Sequence, residues 1–336
     1  MIANCGARGK AHMARLIHFG ARSTADQVLA GIDLARKRIV VTGCNSGIGF
    51  ETMKALAANG AHVIGLARTL GRAQAACKSV GPSATAIACD LTDLDSVEEA
   101  ADSVLRLPGP LDAIITNAGI ANLPTLQVRY EIELQFLVNH IAHCALINRL
   151  ANSVRSGTGR IVIVSGDASI KQAPAGGVMF DNLDGRRFYD PAIFHGQAKL
   201  AAALYAKELS RRLVSRGISV NSLDPGATRG TGIDKYRASN RRLGLRAAQL
   251  FRKSPAQGAA TQALLAASPQ VAGITGEYWA DCKIARGNPL LADEGLSRRL
   301  WEASERIVSS IRSECLRACA AQATRRGPPS RPPSDS

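Results

Sequence analysis

Six short apolar runs, rich in β-branched residues, recur through the first two thirds of the chain. They are RIVVT (38–42), AHVIGLA (61–67), ATAIAC (84–89), LDAIIT (111–116), RIVIVS (160–165) and GISVNSLD (217–224). A strand covered on both faces is apolar almost throughout, whereas a half-solvated strand alternates, so these runs read as strands of a buried parallel sheet. GEYWAD (276–281) is a seventh candidate. Segments 48–59, 96–105, 128–151 and 194–216 between the runs carry helical periodicity and length. Strand and helix alternating this often specify a doubly wound α/β sheet of about seven strands. Composition does not change between 38 and 285, so one domain over 19–306 is expected.

Composition narrows the class. Hydrophobic residues make up 46% of the 336 and aromatics 4%, so the core must be aliphatic and alanine-rich. No apolar run reaches the ~18–20 residues that span a bilayer, and no secretory signal core opens the chain; the expectation is a cytoplasmic protein without an integral membrane segment. Cysteines 5, 44, 77, 89, 144, 282, 315 and 319 form no C-x-x-C pair, which argues for reduced thiols and no metal. The formal charge of +15 would suit nucleic acid. The basic residues are scattered and many lie near the ends, as in Arg8, Lys10, Arg15, Arg325 and Arg326, so a solvated surface with basic tails is the simpler reading and no nucleic-acid partner is expected. Residues 1–18 read as an overcalled start with Met13 as initiator, or as a weak amphipathic targeting segment. Residues 307–336 read as a helix end and then, from about Ala320, a disordered tail rich in Pro, Ser and Arg.

The first strand runs directly into Thr42-Gly43-Cys44-Asn45-Ser46-Gly47-Ile48-Gly49, and a helix follows. Glycines let the backbone turn sharply and approach a pyrophosphate, and a helix N-terminus offers unpaired N–H groups and the positive end of a dipole. A glycine-rich turn alone also fits a plain tight loop; its place between the first strand and a helix points to a dinucleotide. The second strand ends in Arg68, and no carboxylate lies between His62 and Lys78. An acidic residue there would hold adenosine ribose hydroxyls, whereas arginine suits a 2′-phosphate, so NADP is expected, with NAD as the alternative.

These residues, with Asp90-Leu91 after the third strand, Thr116-Asn117-Ala118-Gly119 after the fourth, Asn139 in FLVNHIAHCAL and Asp224-Pro225-Gly226 after the sixth, resemble the short-chain dehydrogenase/reductase family. The segments STADQVLAGIDL (23–34), MFDNLDGRRFYDP (179–191), SPAQGAATQALLAAS (254–268) and GEYWADCKIARGNPL (276–290) resemble its retinol dehydrogenase-like branch. The resemblance covers roughly 19–306 and implies a Rossmann-like fold. It implies that Gly43, Ser46, Gly47, Ile48 and Gly49 cradle the phosphates and that Asp90 and Leu91 meet the adenine. Asn117, Ala118 and Gly119 would line the cleft, and Pro225 and Gly226 would lie near the nicotinamide.

The family's catalytic set is a tyrosine, a lysine four residues later, a serine after the fifth strand and an asparagine on an earlier helix. Lys199 and Asn139 match; the tyrosine position holds His195 and the serine position holds Gly166. Ser165 stands one residue early, and successive strand residues face opposite sides, so it substitutes only if the strand end is irregular. Tyr189 lies ten residues before Lys199, and Tyr205 lies six after it, about 240° around the helix. Neither replaces the missing phenol. Neutral imidazole is a usable base for oxidising an alcohol but a poor proton donor to a ketone, and Lys199 one turn away disfavours the imidazolium.

The resulting expectation is an NADP-dependent oxidoreductase interconverting an alcohol and a carbonyl on a small, fairly apolar molecule. Lys199 would hold the ribose, Asn139 would position the proton relay, and His195 would stand for the usual acid/base. The alternatives are a dinucleotide-binding pseudoenzyme or a non-redox protein on the same fold. Loop 171–193 and segment 229–255, with eight Lys or Arg in 27 residues, would form the substrate lid; the charge fits a solvated lid or an anionic substrate. A homodimer or homotetramer is expected through 128–151 and 194–216, the family's usual contact helices.

Overall fold

The computed structural model describes residues 18–230 and 252–325, with side chains to residue 314. Residues 1–17, most of the expected lid (231–251) and the tail from 326 lie outside the described residues.

The chain opens with a short helix α1 (Ala25–Leu29), entered through a capping box in which Thr24 and Gln27 bond reciprocally. It then alternates: β1 (Arg38–Thr42), α2 (Gly47–Ala58), β2 (His62–Ala67), α3 (Leu70–Val80), β3 (Ala84–Ala88), α4 (Leu94–Arg106) and β4 (Ala113–Thr116). A hairpin follows, β5 (Val128–Arg129) and β6 (Ile132–Glu133). Helix α5 has three consecutive pieces, Leu134–Phe136, a π-turn over Leu137–Ile141, and Ala142–Leu150. Next come β7 (Arg160–Val164), α6 (Ala168–Lys171), α7 (Pro191–Arg212), β8 (Ser219–Asp224), α8 (Pro255–Ala267), β9 (Tyr278–Ala280), β10 (Lys283–Ile284) and α9 (Glu294–Arg325).

The main sheet has the order β10-β9-β8-β7-β4-β1-β2-β3. β1 pairs in parallel with β2 on one side and β4 on the other. Strand residues alternate between two cores. Val40 joins α4, α5, α7 and α9 on one face, while Ile39 and Val41 join α1, α2, α3 and α8 on the other. The expected strands all form. Because β1 and β4 are central, their C-terminal ends meet at the point where strand order reverses, which is where such sheets hold ligands.

Three expectations need correction. An eighth strand, β10, adds antiparallel to β9, because Asp281 (φ 53°) and Cys282 (φ 60°) reverse the chain as a two-residue turn. Residues 128–133 are not helical: Tyr130 (φ 54°) and Glu131 (φ 55°) make a second such turn. Helix α5 starts only at Leu134, where the Glu133 carboxylate accepts the Phe136 N–H. Helix α9 continues to Arg325, past Ala320, where composition pointed to disorder. It also lies across α5 and α7. Its Leu300, Val308 and Ile311 are buried there, Glu305 accepts from Asn148, and Ser304 meets His140 Nε2 at 2.8 Å. The C-terminal helix thus packs on both of the helices expected to join two copies.

Candidate functional site

The turn after β1 is built on glycine. Gly43 (φ 70°) and Gly47 (φ 57°) adopt left-handed backbone. A Cβ on Gly49 would lie 2.3 Å from the Gly43 carbonyl oxygen and 2.4 Å from Asn117 Nδ2, so no side chain fits. Ser46 precedes α2 in extended conformation, and its side chain caps none of the helix's first amides. These N–H groups stay available to an anion.

Beneath the turn, a chain of hydrogen bonds ties β1, β4 and α5 together. Thr42 Oγ1 accepts from the amides of Asn117 (2.9 Å) and Ala118 (3.0 Å). Both lone pairs are then used, so its proton donates to His143 Nε2 at 3.1 Å. His143 Nδ1–H therefore points to the Asn139 carbonyl at 3.4 Å. Burial, with a smaller contribution from Lys199, pushes this imidazole down to about 4, which makes it a neutral strut. The Asn139 side chain is likewise committed, accepting from Ile120 N and donating to Ile120 O, both at 2.8 Å.

The strand ends enclose one continuous cleft of about 730 Å³. It gathers Gly43, Ser46, Gly47, Ile48, Gly49, Arg68, Asp90, Leu91, Asn117, Ala118, Gly119, Pro225 and Gly226, together with Ser165, His195 and Lys199. Asn139 alone stands behind the wall, bracing Ile120. Arg72, Asp167, Lys171, Gln172 and Asp224 also line the cleft, and the sequence patterns had not singled them out for a role. The glycine-bearing turn and the uncapped helix start fit a dinucleotide pyrophosphate.

At the inner end, Lys199 is 5% exposed and donates to the Val164 carbonyl at 3.1 Å. Burial lowers its ammonium to about 8 against the pull of Asp224. Asp224 itself accepts the Gly226 amide at 2.8 Å, and burial raises its carboxyl above the usual range. Ser165 spends its proton on the Lys199 carbonyl at 2.8 Å. It therefore clamps β7 to α7, and a substrate oxygen would meet only its lone pairs.

Gly166 lies two residues past the end of β7. Its φ is 133°, a region that side-chain-bearing residues rarely enter, although a Cβ there would meet nothing within 4 Å. Its carbonyl accepts from Tyr278 Oη (3.1 Å) and Ser169 Oγ (2.6 Å), which holds the backbone in that shape. The two remaining tyrosine candidates are occupied elsewhere: Tyr189 donates to the Leu123 carbonyl and Tyr205 to Asn148 Oδ1.

His195 sits at the mouth of this pocket, 7% exposed. Its Nδ1 lies 3.3 Å from Gln172 Oε1, and its Nε2 has no hydrogen-bond partner. Burial first, and Lys199 second, push its imidazole down to about 3, so it is neutral at every physiological pH. A buried imidazole nitrogen without a partner is costly unless a ligand supplies one. The arrangement leaves one neutral imidazole nitrogen without a partner beside the cleft. Among the described residues, no cluster of three or more His, Cys, Asp and Glu side chains could hold a metal ion, and no helix is long and apolar enough to cross a membrane.

Comparison with known proteins agrees with this geometry. Residues 37–179 match the model of the short chain dehydrogenase family. Mouse retinol dehydrogenase 14 is 34% identical over 299 residues, covering 82% of the chain and 87% of the relative. A solved structure of an uncharacterised Mycobacterium paratuberculosis protein superposes with TM-score 0.67 at 27% identity, over 86% of the chain and 98% of that protein. A Beutenbergia cavernae protein described as an NAD(P)-dependent gluconate 5-dehydrogenase, with NADP bound at low occupancy, superposes at TM-score 0.59. It is 25% identical over 74% of the chain and 96% of its own length. The chain belongs to the short-chain dehydrogenase family.

Proposed function

We propose that the protein is an NADP-dependent oxidoreductase that oxidises a hydroxyl on a small, fairly apolar molecule, with His195 in place of the usual phenol. The observation that carries the reading is the His195 Nε2. It is buried and has no partner, and His195 lines the cleft that also holds Lys199 and the glycine turn. An acceptor at that place holds a hydroxyl proton and has none to give a carbonyl, which favours oxidation over reduction. Bound NADP would supply the hydride acceptor. Gly43, Gly47 and Gly49 would seat its pyrophosphate and Arg68, at the exposed end of β2, its 2′-phosphate. Lys199 would hold the nicotinamide ribose. The NADP of the Beutenbergia cavernae protein and the absence of a carboxylate after β2 support this cofactor over NAD.

A second reading, a dinucleotide-binding protein without chemistry, is favoured by Ser165, whose hydroxyl proton is used internally, and by an imidazole held so far from protonation. NADPH fluorescence and turnover against a panel of secondary alcohols and ketones decide between them, using wild type and His195→Ala. Turnover of an alcohol that falls at least tenfold in His195→Ala supports the enzyme. Binding without turnover supports the second reading. Failure to bind any nicotinamide cofactor overturns both.

A further inference from the structure

We infer that Gln172 is a positioning residue for His195: its side-chain carbonyl fixes the Nδ1–H tautomer and so leaves the buried Nε2 an unprotonated acceptor. The inference rests on the oxidoreductase reading only for its catalytic consequence; the tautomer can be tested without turnover.

The contact is built into the backbone. Gln172 follows α6 directly, and its amide closes that helix onto the Ala168 carbonyl at 2.9 Å. Helix α7 approaches this point through Gly196, the residue after His195. A Cβ on Gly196 would lie 2.3 Å from the Gln172 carbonyl carbon and 2.4 Å from the Ala173 nitrogen. Glycine inside a helix costs roughly 1 kcal/mol relative to alanine, and here it lets the 172–173 backbone lie against α7. Gln172 Oε1 then stands 3.3 Å from His195 Nδ1.

An amide oxygen has only lone pairs to offer, so Nδ1 must carry the proton. With the ring neutral, Nε2 is then unprotonated. The charged groups facing the ring are Lys199, on the same helix, and Asp167, from the turn between β7 and α6. Neither is recorded in a hydrogen bond with the ring, so the amide decides the tautomer.

The consequence is selectivity by hydrogen-bond polarity. A bare Nε2 receives a hydroxyl proton and repels a carbonyl oxygen, and at Gly166 no side chain offers a donor to offset this. A site with one unpaired buried acceptor discriminates strongly against a ligand that lacks the matching donor. The substrate class is therefore an alcohol, held in preference to its carbonyl product. In the opposite tautomer the site would hold the carbonyl product.

The experiment is nitrogen-15 NMR of ring-labelled histidine in the full chain, with the His195 signals identified by their loss in His195→Ala. Wild type is expected to show a protonated Nδ1 and a bare Nε2, unchanged from pH 6 to 9. Gln172→Leu should move the ring toward the Nε2–H tautomer. Gln172→Glu, which keeps an acceptor at the same place, should retain Nδ1–H and raise the pH at which the ring becomes doubly protonated. In parallel, Gln172→Leu should lower kcat for alcohol oxidation at least tenfold with KM for NADP changed less than about twofold, and Gln172→Glu should restore part of it. An Nε2–H ring in wild type, or a tautomer that ignores Gln172→Leu while the variant melts normally, overturns the inference. The expected tautomers without any turnover of alcohols uphold the positioning role of Gln172 and overturn the oxidoreductase reading instead.

Discussion

The Tyr205 ring lies flat against the Trp301 indole, centroids 4.8 Å apart and planes 7° from parallel. The Arg212 guanidinium also lies over the indole, 4.4 Å from its centroid. This stack joins the helix that carries His195 and Lys199 to the C-terminal helix. Trp301→Ala removes a stacked, partly buried aromatic and should cost roughly 2 kcal/mol in urea unfolding. Deleting residues 294–336 bares the apolar surface of α5 and α7 and should make the chain self-associate. Light scattering after size exclusion reads this directly; a truncated chain that stays monomeric and soluble would show that α9 covers nothing that needs covering.

Restoring the family's serine should fail on backbone grounds. Gly166→Ser places a side chain at φ 133°, with room for its atoms but not for its backbone preference. The cost should be about 1–3 kcal/mol, and Gly166→Ala should cost the same because the strain precedes the hydroxyl. A serine variant as stable as wild type would sink this account.

Arg68 is exposed at the end of β2, beside Arg72 on the same cleft wall. Arg68→Asp should shift the ratio of NADP to NAD affinity at least tenfold toward NAD, read as dissociation constants by cofactor fluorescence. An unchanged ratio would remove Arg68 from recognition of the 2′-phosphate.

Lys199 gives a pH signature of stability. Its ammonium titrates near 8 in the folded chain against an ordinary 10.5. Between those values the unfolded chain binds a proton that the folded chain has released, so this group makes stability rise with pH from about 8 to 10.5. Below pH 8 both forms are protonated and the burial cost is constant. Relative to Lys199→Met, wild type should therefore gain on the order of 2 kcal/mol between pH 8 and pH 10. Parallel stability curves for the two proteins would contradict the placement of a buried ammonium.

The strands, their order of appearance and the cleft residues were legible because buried parallel strands and phosphate-binding glycines obey local rules. The hairpin at 128–133 was not, since helix-compatible residues were overridden by two consecutive left-handed residues, Tyr130 and Glu131. Neither is a glycine, so no letter announced the turn. Gln172 was equally silent: it lies 23 residues from His195 in sequence, and only the docking of α6 on α7 at Gly196 brings the pair together. Ser165 was a catalytic candidate in sequence, and its donation to the Lys199 carbonyl could be seen only once α7 was docked on β7. The packing of α9 on α5 and α7 could be seen only once α9 was placed, because it is a tertiary event.

The π-turn at Leu137–Ile141 sets two neighbours to opposite tasks. Asn139 grips both polar groups of Ile120 at the cleft, and His140 meets Ser304 of the C-terminal helix. Adjacent residues in one turn share a backbone and cannot be displaced independently. A pull on the C-terminal helix is thus also a pull on the Ile120 segment of the cleft, which makes that helix a mechanical handle on the site.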